Sequence, residues 1–216
     1  MRAIVICDFD GTIVDIDTGE LILSKFADGD WRALDELYHR EEMTSEEVIS
    51  RQFAMVKAPK TSMIKTVEAK VHIRPGFDRL LEVCRKRHVP FLVVSYGLDF
   101  CIRHFLARVP HGKYVRICAP NATVTPNGIF FTFPRRHLNH SINMKEDSVK
   151  YYKERGRQVV YAGDSTSDMP AAASSDIRFA VKDSRLAGFC EREDIEYTPM
   201  TDFYPVTVLI ERMATP

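Results

Sequence analysis

Ile4-Val5-Ile6-Cys7-Asp8-Phe9-Asp10-Gly11-Thr12 joins an uninterrupted apolar run to two carboxylates, a glycine and a hydroxyl, and that junction decides the fold. From Ala3 to Cys7 there is no polar alternation, as expected for a strand buried on both faces of a parallel sheet. Such a strand opens at its carboxyl end onto a crevice. Residues i and i+2 of an extended chain project to the same side, so Asp8 and Asp10 face one pocket. Gly11 lets the chain turn sharply and Thr12 adds a hydroxyl, so the turn can present donors to an anion while the carboxylates hold a hard cation.

The same texture recurs twice. Val89-Pro90-Phe91-Leu92-Val93-Val94 runs into Ser95-Tyr96-Gly97, and Gln158-Val159-Val160-Tyr161-Ala162 runs into Gly163-Asp164-Ser165-Thr166-Ser167-Asp168. Between these runs, Phe77, Leu80, Leu81 and Cys84 repeat at helical spacing, and residues 148–155 form a second helical pattern. Strands alternating with helices predict an α/β fold with a mostly parallel sheet. Residues 18–72 read as charged amphipathic helices with no strand. Thr44 and Glu47 make a capping box ahead of Val48, Ile49 and Phe53, with Pro59 expected to stop that helix. Arg74-Pro75-Gly76 marks the return. The expected organisation is a catalytic core of residues 1–17 and 73–216, with a helical cap of residues 18–72 inserted after the first strand. Pro126-Asn127-Gly128, flanked by Val124 and Ile129-Phe130-Phe131, predicts a small β-hairpin outside the main sheet.

The bulk properties bound the partners. The chain has 216 residues, 45% of them hydrophobic, which suits one core with a small insert. Lys plus Arg and Asp plus Glu are both 30, so no global field draws the chain to nucleic acid or to a membrane. Cys7, Cys84, Cys101, Cys118 and Cys190 form no CxxC pair and read as free thiols in a reducing compartment. The apolar start is too short for a signal peptide, and no run approaches the roughly 20 apolar residues of a membrane span. The expectation is a cytoplasmic protein acting on a small molecule; the sequence carries no indication of oligomeric state.

The two acidic clusters carry the chemistry. Either alone is also what an Asp-rich turn looks like; together, at the ends of neighbouring strands, they can complete an oxygen-rich octahedral site for Mg2+. Two like charges about 4 Å apart repel by about 4 kcal/mol at an effective dielectric near 20. A pocket of carboxylates therefore needs a cation and a basic side chain before it accepts a phosphate dianion. Mg2+ is the first and Lys145 the candidate for the second, although a lysine near a helix start is ordinarily solvated surface. Ser95, otherwise a routine turn residue, can bind a phosphate oxygen beside the amides of Tyr96 and Gly97. His137 and His140 read as solvated imidazoles in a polar loop.

These four pieces in this order, DFDGT at Asp8, Ser95, Lys145 and GDSTSD at Asp164, resemble the haloacid dehalogenase superfamily of phosphotransferases. The resemblance implies a Rossmann-like core and a Mg2+-dependent phosphomonoesterase acting on a small phosphate monoester. It makes Asp8 the nucleophile that forms an aspartyl-phosphate and Asp10 the general acid, then base. Asp8, the backbone carbonyl of Asp10 and Asp164 would hold Mg2+, and Asp168 would support that shell. The helical insert resembles the cap of phosphoserine phosphatases and of the methionine-salvage phosphatases acting on 2-hydroxy-3-keto-5-methylthiopentenyl 1-phosphate. Ile6-Cys7-Asp8, Pro90-Phe91, Gly97-Leu98-Asp99-Phe100 and the tail around Thr201-Asp202-Phe203-Tyr204 look closer to the latter. Asp17 and Arg51 stand where a Glu and an Arg bind the amino acid in phosphoserine phosphatases, with Asp17 a departure. Tyr96 replaces a glycine of the usual Ser-Gly-Gly, so its ring is expected to line the substrate pocket with Gly97. A reading of a different class is a phosphorylation-responsive signalling module, which the placement of Asp10 opposes; transfer to an acceptor other than water is a third.

Overall fold

The apolar run at the start of the chain becomes the centre of the sheet. In the computed structural model, which describes residues 2–40 and 42–213, strand β1 (Arg2–Cys7) alternates its side chains between two cores. Val5 and Cys7 enter the core that holds Phe9, Phe77 and Val93, while Ile4 and Ile6 enter the one that holds Val94, Val149 and Tyr161. Both faces are covered by helices, which is why no polar alternation was needed.

Four helices follow β1: α1 (Thr18–Phe26), α2 (Arg32–His39), α3 (Ser45–Ala54) and α4 (Lys60–Glu68). The chain returns through α5 (Phe77–Lys86), β2 (Phe91–Val94), α6 (Asp99–Leu106), β3 (Arg116–Cys118), and the hairpin of β4 (Asn121–Thr125) and β5 (Gly128–Thr132). It then runs through α7 (Met144–Lys153), β6 (Arg157–Gly163), α8 (Met169–Ser174), β7 (Ile177–Val181), α9 (Arg185–Arg192), β8 (Thr198–Met200) and α10 (Tyr204–Arg212). The main sheet has six strands in the order β3-β2-β1-β6-β7-β8, and every pairing in it is parallel. The chain first winds outward from β1 to β3, then crosses back to β6 on the other side of β1. That reversal is a topological switch point, and a crevice opens beyond the carboxyl ends of β1 and β6.

The α1–α4 excursion is tied at its root by an antiparallel bridge between Val14 and Ile73. The Thr44–Glu47 capping box is formed: Glu47 N donates to Thr44 Oγ1 at 3.3 Å and Thr44 N donates to Glu47 Oε2 at 2.9 Å. Pro59 does not end α3. The helix stops at Ala54, where the chain extends to bridge Val56 with Ala27, and Pro59 instead caps the start of α4. The hairpin lies outside the main sheet and rests on α3, with Phe131 edge-on to Phe53 at 5.5 Å between ring centroids. All five cysteines are free thiols.

Phe77 joins the two ends of the core. Fully buried, it packs edge-on to Phe91 at 5.6 Å and against Phe203 at 5.2 Å. Phe77→Ala is expected to lower the unfolding free energy by about 3–5 kcal/mol, read from the urea midpoint at unchanged slope.

Candidate active site

The register of β1 against β6 aligns Cys7 with Ala162, and Asp8 N donates to Ala162 O at 2.9 Å. Asp8 is thereby fixed beside Gly163 and Asp164. Carboxylate oxygens of Asp8, Asp164 and Asp168 lie within 4.8 Å of one another. Lys145 enters from the first turn of α7, a helix started by Asn143, whose Oδ1 accepts from Lys145 N at 3.0 Å and Glu146 N at 2.9 Å. The helix extends four residues ahead of the 148–155 pattern and has Lys145 in its first turn, as expected. Its side chain is only 2% exposed, with Nζ 3.0 Å from Asp8 Oδ1 and 2.7 Å from Asp168 Oδ1.

The acids have distinct surroundings. Asp168 is saturated by protein donors: Lys145 Nζ and Tyr161 OH (2.5 Å) on Oδ1, and the amides of Asp164 (3.1 Å) and Ser165 (2.8 Å) with Ser165 Oγ (2.8 Å) on Oδ2. Burial alone would raise Asp168, but the Lys145 ammonium and these hydrogen bonds hold it below the usual carboxylate range. Asp164 accepts from Thr12 Oγ1 at 2.6 Å, yet burial and the Asp168 charge push it up to about 7. Asp10 Oδ1 accepts from Thr18 N at 2.8 Å, at the start of α1, while burial and then Asp17 push it up to about 7. Burial and Asp168 raise Asp8 well above its ordinary value. One ammonium thus leaves this cluster under-neutralised, and Asp8 and Asp164 are the acids that protein donors do not saturate. That donor set, oxygen-only and anionic, fits a hard divalent cation.

Glycines admit this crowding. A Cβ on Gly11, whose φ is +73°, would stand 2.4 Å from Asp164 Oδ2, and one on Gly97 would stand 2.3 Å from Asp10 Oδ2. Ser95 is buried, and its Oγ accepts from Gly97 N at 2.9 Å, so the hydroxyl proton is left to donate elsewhere. Tyr96 OH donates to Glu46 Oε1 on α3 at 3.2 Å and accepts from Met144 N at 3.3 Å. Arg136 Nη2 donates to the same Glu46 oxygen at 3.0 Å.

A cavity of about 770 Å3 extends from the acids to the α1–α3 helices, with Leu23, Trp31, Val48, Gln52 and Phe53 in its wall. Asp17, Tyr96 and Gly97 line it. Arg51 does not. It is exposed, because at about 100° per residue it lies nearly opposite Ile49 and Phe53, which turn to the wall. Arg32 and Arg185 line the cavity in its place. Asp17 caps α1, accepting from Glu20 N at 2.8 Å. His137 stacks on Tyr151 at 4.0 Å and His140 is exposed, both away from the cavity. The sequence reading missed Tyr161, Asn143, Arg32 and Arg185. Asn143 two residues before Lys145 was a readable cap signal; the others depend on contacts that only the fold creates.

Comparison with known proteins gives the chain a family. A family model described as haloacid dehalogenase-like hydrolase matches residues 5–173. The chain belongs to that family. Among similar curated proteins, the 2-hydroxy-3-keto-5-methylthiopentenyl-1-phosphate phosphatase of Brevibacillus brevis is 25% identical over 98% of this chain and 96% of its own. Its counterpart in Bacillus velezensis is 26% identical over 97% of this chain and 90% of its own. Among solved structures, a phospho-aspartyl intermediate analogue of phosphoserine phosphatase shares 15% identity over 96% of this chain and 98% of that one, at a TM-score of 0.71. That last likeness is one of fold.

Removing one member of the buried charge cluster leaves the rest uncompensated. Lys145→Met is expected to destabilise the folded protein by about 3–5 kcal/mol in equilibrium urea unfolding.

Proposed function

We propose that the chain is a Mg2+-dependent phosphatase that hydrolyses a small phosphate monoester through a phospho-Asp8 intermediate. The observation that carries this reading is the meeting of Asp8, Asp164 and Lys145, delivered by β1, β6 and α7 to one buried point. With it goes the division into a catalytic core of residues 1–17 and 73–216 and a cap of residues 18–72.

Asp8, the backbone carbonyl of Asp10 and Asp164 would hold the ion, with Asp168 bracing Asp164 and Lys145. Bound there, Mg2+ supplies positive charge to the phosphate oxygens. An Asp8 carboxylate oxygen attacks phosphorus in line as the ester P–O bond breaks, and Asp10 gives its proton to the departing alkoxide. A loose phosphoryl transition state demands positioning and charge neutralisation more than nucleophilicity, so a carboxylate suffices. Asp10, now ionised, takes a proton from the water that attacks the acyl phosphate. Phosphate leaves and Asp8 is regenerated. With a pKa of about 7, Asp10 can serve in both directions near neutrality. Lys145 and the Ser95 hydroxyl contribute donors to the phosphate oxygens. Asp10 also argues against a signalling module with a long-lived phospho-Asp, since its carboxyl stands ready to assist hydrolysis.

For the organic part of the ester, the cap wall favours an uncharged tail. Leu23, Trp31, Val48 and Phe53 line it, and several polar groups beside them are engaged. Arg32 stacks on Trp31 at 4.1 Å and pairs with Glu20 at 3.7 Å, while Gln52 Nε2 donates to Asp35 Oδ1 at 2.8 Å. This supports the methylthiopentenyl ester that names the curated relatives. Phosphoserine is the second reading, favoured by the charged groups Asp17 and Arg185 that also line the cavity.

Asp8→Asn is expected to lower Mg2+-dependent hydrolysis of p-nitrophenyl phosphate by at least about 10³-fold; wild-type turnover by that variant would refute the mechanism. In a panel of phosphorylated metabolites, kcat/KM for the methylthiopentenyl ester should exceed that for phosphoserine by more than about tenfold. The reverse order would assign the second substrate.

A further inference from the structure

Arg74 lies on the segment returning from the cap, next to the Val14–Ile73 bridge. Its half-buried guanidinium donates to three backbone carbonyls: Nη2 to Gly11 O at 2.7 Å, Nε to Thr12 O at 2.9 Å and Nη1 to Thr201 O at 3.2 Å. Its own amide donates to Ile13 O at 2.8 Å. Among the described residues no carboxylate stands within ion-pair distance of it. The side chain therefore directs its charge and its donors at carbonyl oxygens, two of which flank Thr12.

Those two carbonyls belong to the turn that follows Asp8 and Asp10. Thr12 donates its hydroxyl to Asp164, and Gly11 packs against the same carboxylate. Fixing the peptide planes on both sides of Thr12 fixes that hydroxyl, and with it the orientation of Asp164. The amides of Thr12, Ile13 and Val14 all donate to Phe9 O, at 3.3, 2.8 and 3.0 Å, so the turn is one hydrogen-bonded unit that the guanidinium closes from outside. The clamp is itself anchored, because Phe203 N donates to Pro75 O at 2.9 Å. A planar fork can reach two adjacent carbonyls at once, which a single ammonium does not do with the same geometry. We infer that Arg74 is a positioning residue that holds the Asp10–Thr12 turn, and through it Asp164, in the arrangement the phosphatase site requires. The kinetic part rests on the phosphatase reading; the structural part does not.

The test compares Arg74→Ala and Arg74→Lys with the parent chain. In amide hydrogen exchange without added metal, residues 8–14 should exchange at least about tenfold faster in both variants, with residues 158–163 unchanged. With p-nitrophenyl phosphate, kcat should fall about 10–100-fold and the Mg2+ half-saturation rise about tenfold, while KM stays within about threefold. Parent-like exchange of residues 8–14 in either folded variant overturns the inference. So does equal acceleration of both segments with parent-like kcat. If Arg74→Ala does not fold, Arg74→Lys alone decides. Absence of Mg2+-dependent turnover in the parent chain would sink the phosphatase reading, and the exchange data would still decide the clamp.

Discussion

A lysine ammonium buried between two aspartates is the interaction on which the rest of this structure depends. Lys145 touches Asp8 and Asp168 in a site almost without solvent. Burial would strip it of its charge, yet the two carboxylates hold it protonated, well above its ordinary range. In return it neutralises only part of the surrounding negative charge. Asp168 takes the larger share because Tyr161 and Ser165 add their donors, and Asp8 and Asp164 remain raised. A site with this imbalance fits a divalent cation, and a phosphate dianion would need that cation to offset the carboxylates.

The parallel sheet is what makes such crowding tolerable. Adjacent β1 and β6 end side by side, so their acids meet without any long side chain having to reach, and backbone amides at the strand ends serve as donors. The close approach leaves no space for a Cβ at Gly11 or Gly97. Arg74 then stiffens the same turn from its outer side, and Thr12 ties it to Asp164. Rigidity of this kind matters for a reaction whose barrier is lowered by positioning, because a misplacement of about 1 Å can cost about 100-fold in rate.

Most of this was legible from residues close together in sequence. The strand-to-acid junctions at Cys7–Asp8 and Gly163–Asp164, the helical spacing of Phe77, Leu80, Leu81 and Cys84, and the hairpin at Pro126-Asn127-Gly128 all carry local signals. Three short strands carried too little signal: Arg116–Cys118 and Thr198–Met200 have three residues each, and Ile177–Val181 is interrupted by an arginine. Their place in the sheet comes from parallel pairing with neighbours already set. The length of α3 was misjudged because a proline is as good a helix start as a stop, and the tertiary bridge at Val56 chose between them. Arg51 and Arg32 were equally basic on the page; only the packing of α2 and α3 decided which one faces the cavity. Arg74 was read as punctuation, since nothing local marks a side chain whose partners lie 62, 63 and 127 residues away.

Tyr96 links these two levels of specification. It follows Ser95 directly, so its backbone belongs to the pocket where the phosphate would sit, yet its hydroxyl reaches Glu46 on α3. That helix also carries Val48, Gln52 and Phe53 to the wall facing the organic part of a substrate. Arg136 bonds the same Glu46 oxygen from the far side, and its Nη1 is held by Ser141 O at 2.8 Å on the loop leading to Lys145. A glycine here would remove this direct link between α3 and the turn that carries Ser95. The ring instead makes the seat of α3 depend on the same turn that positions Ser95, so the wall facing the proposed ester and the pocket proposed to break it share one frame.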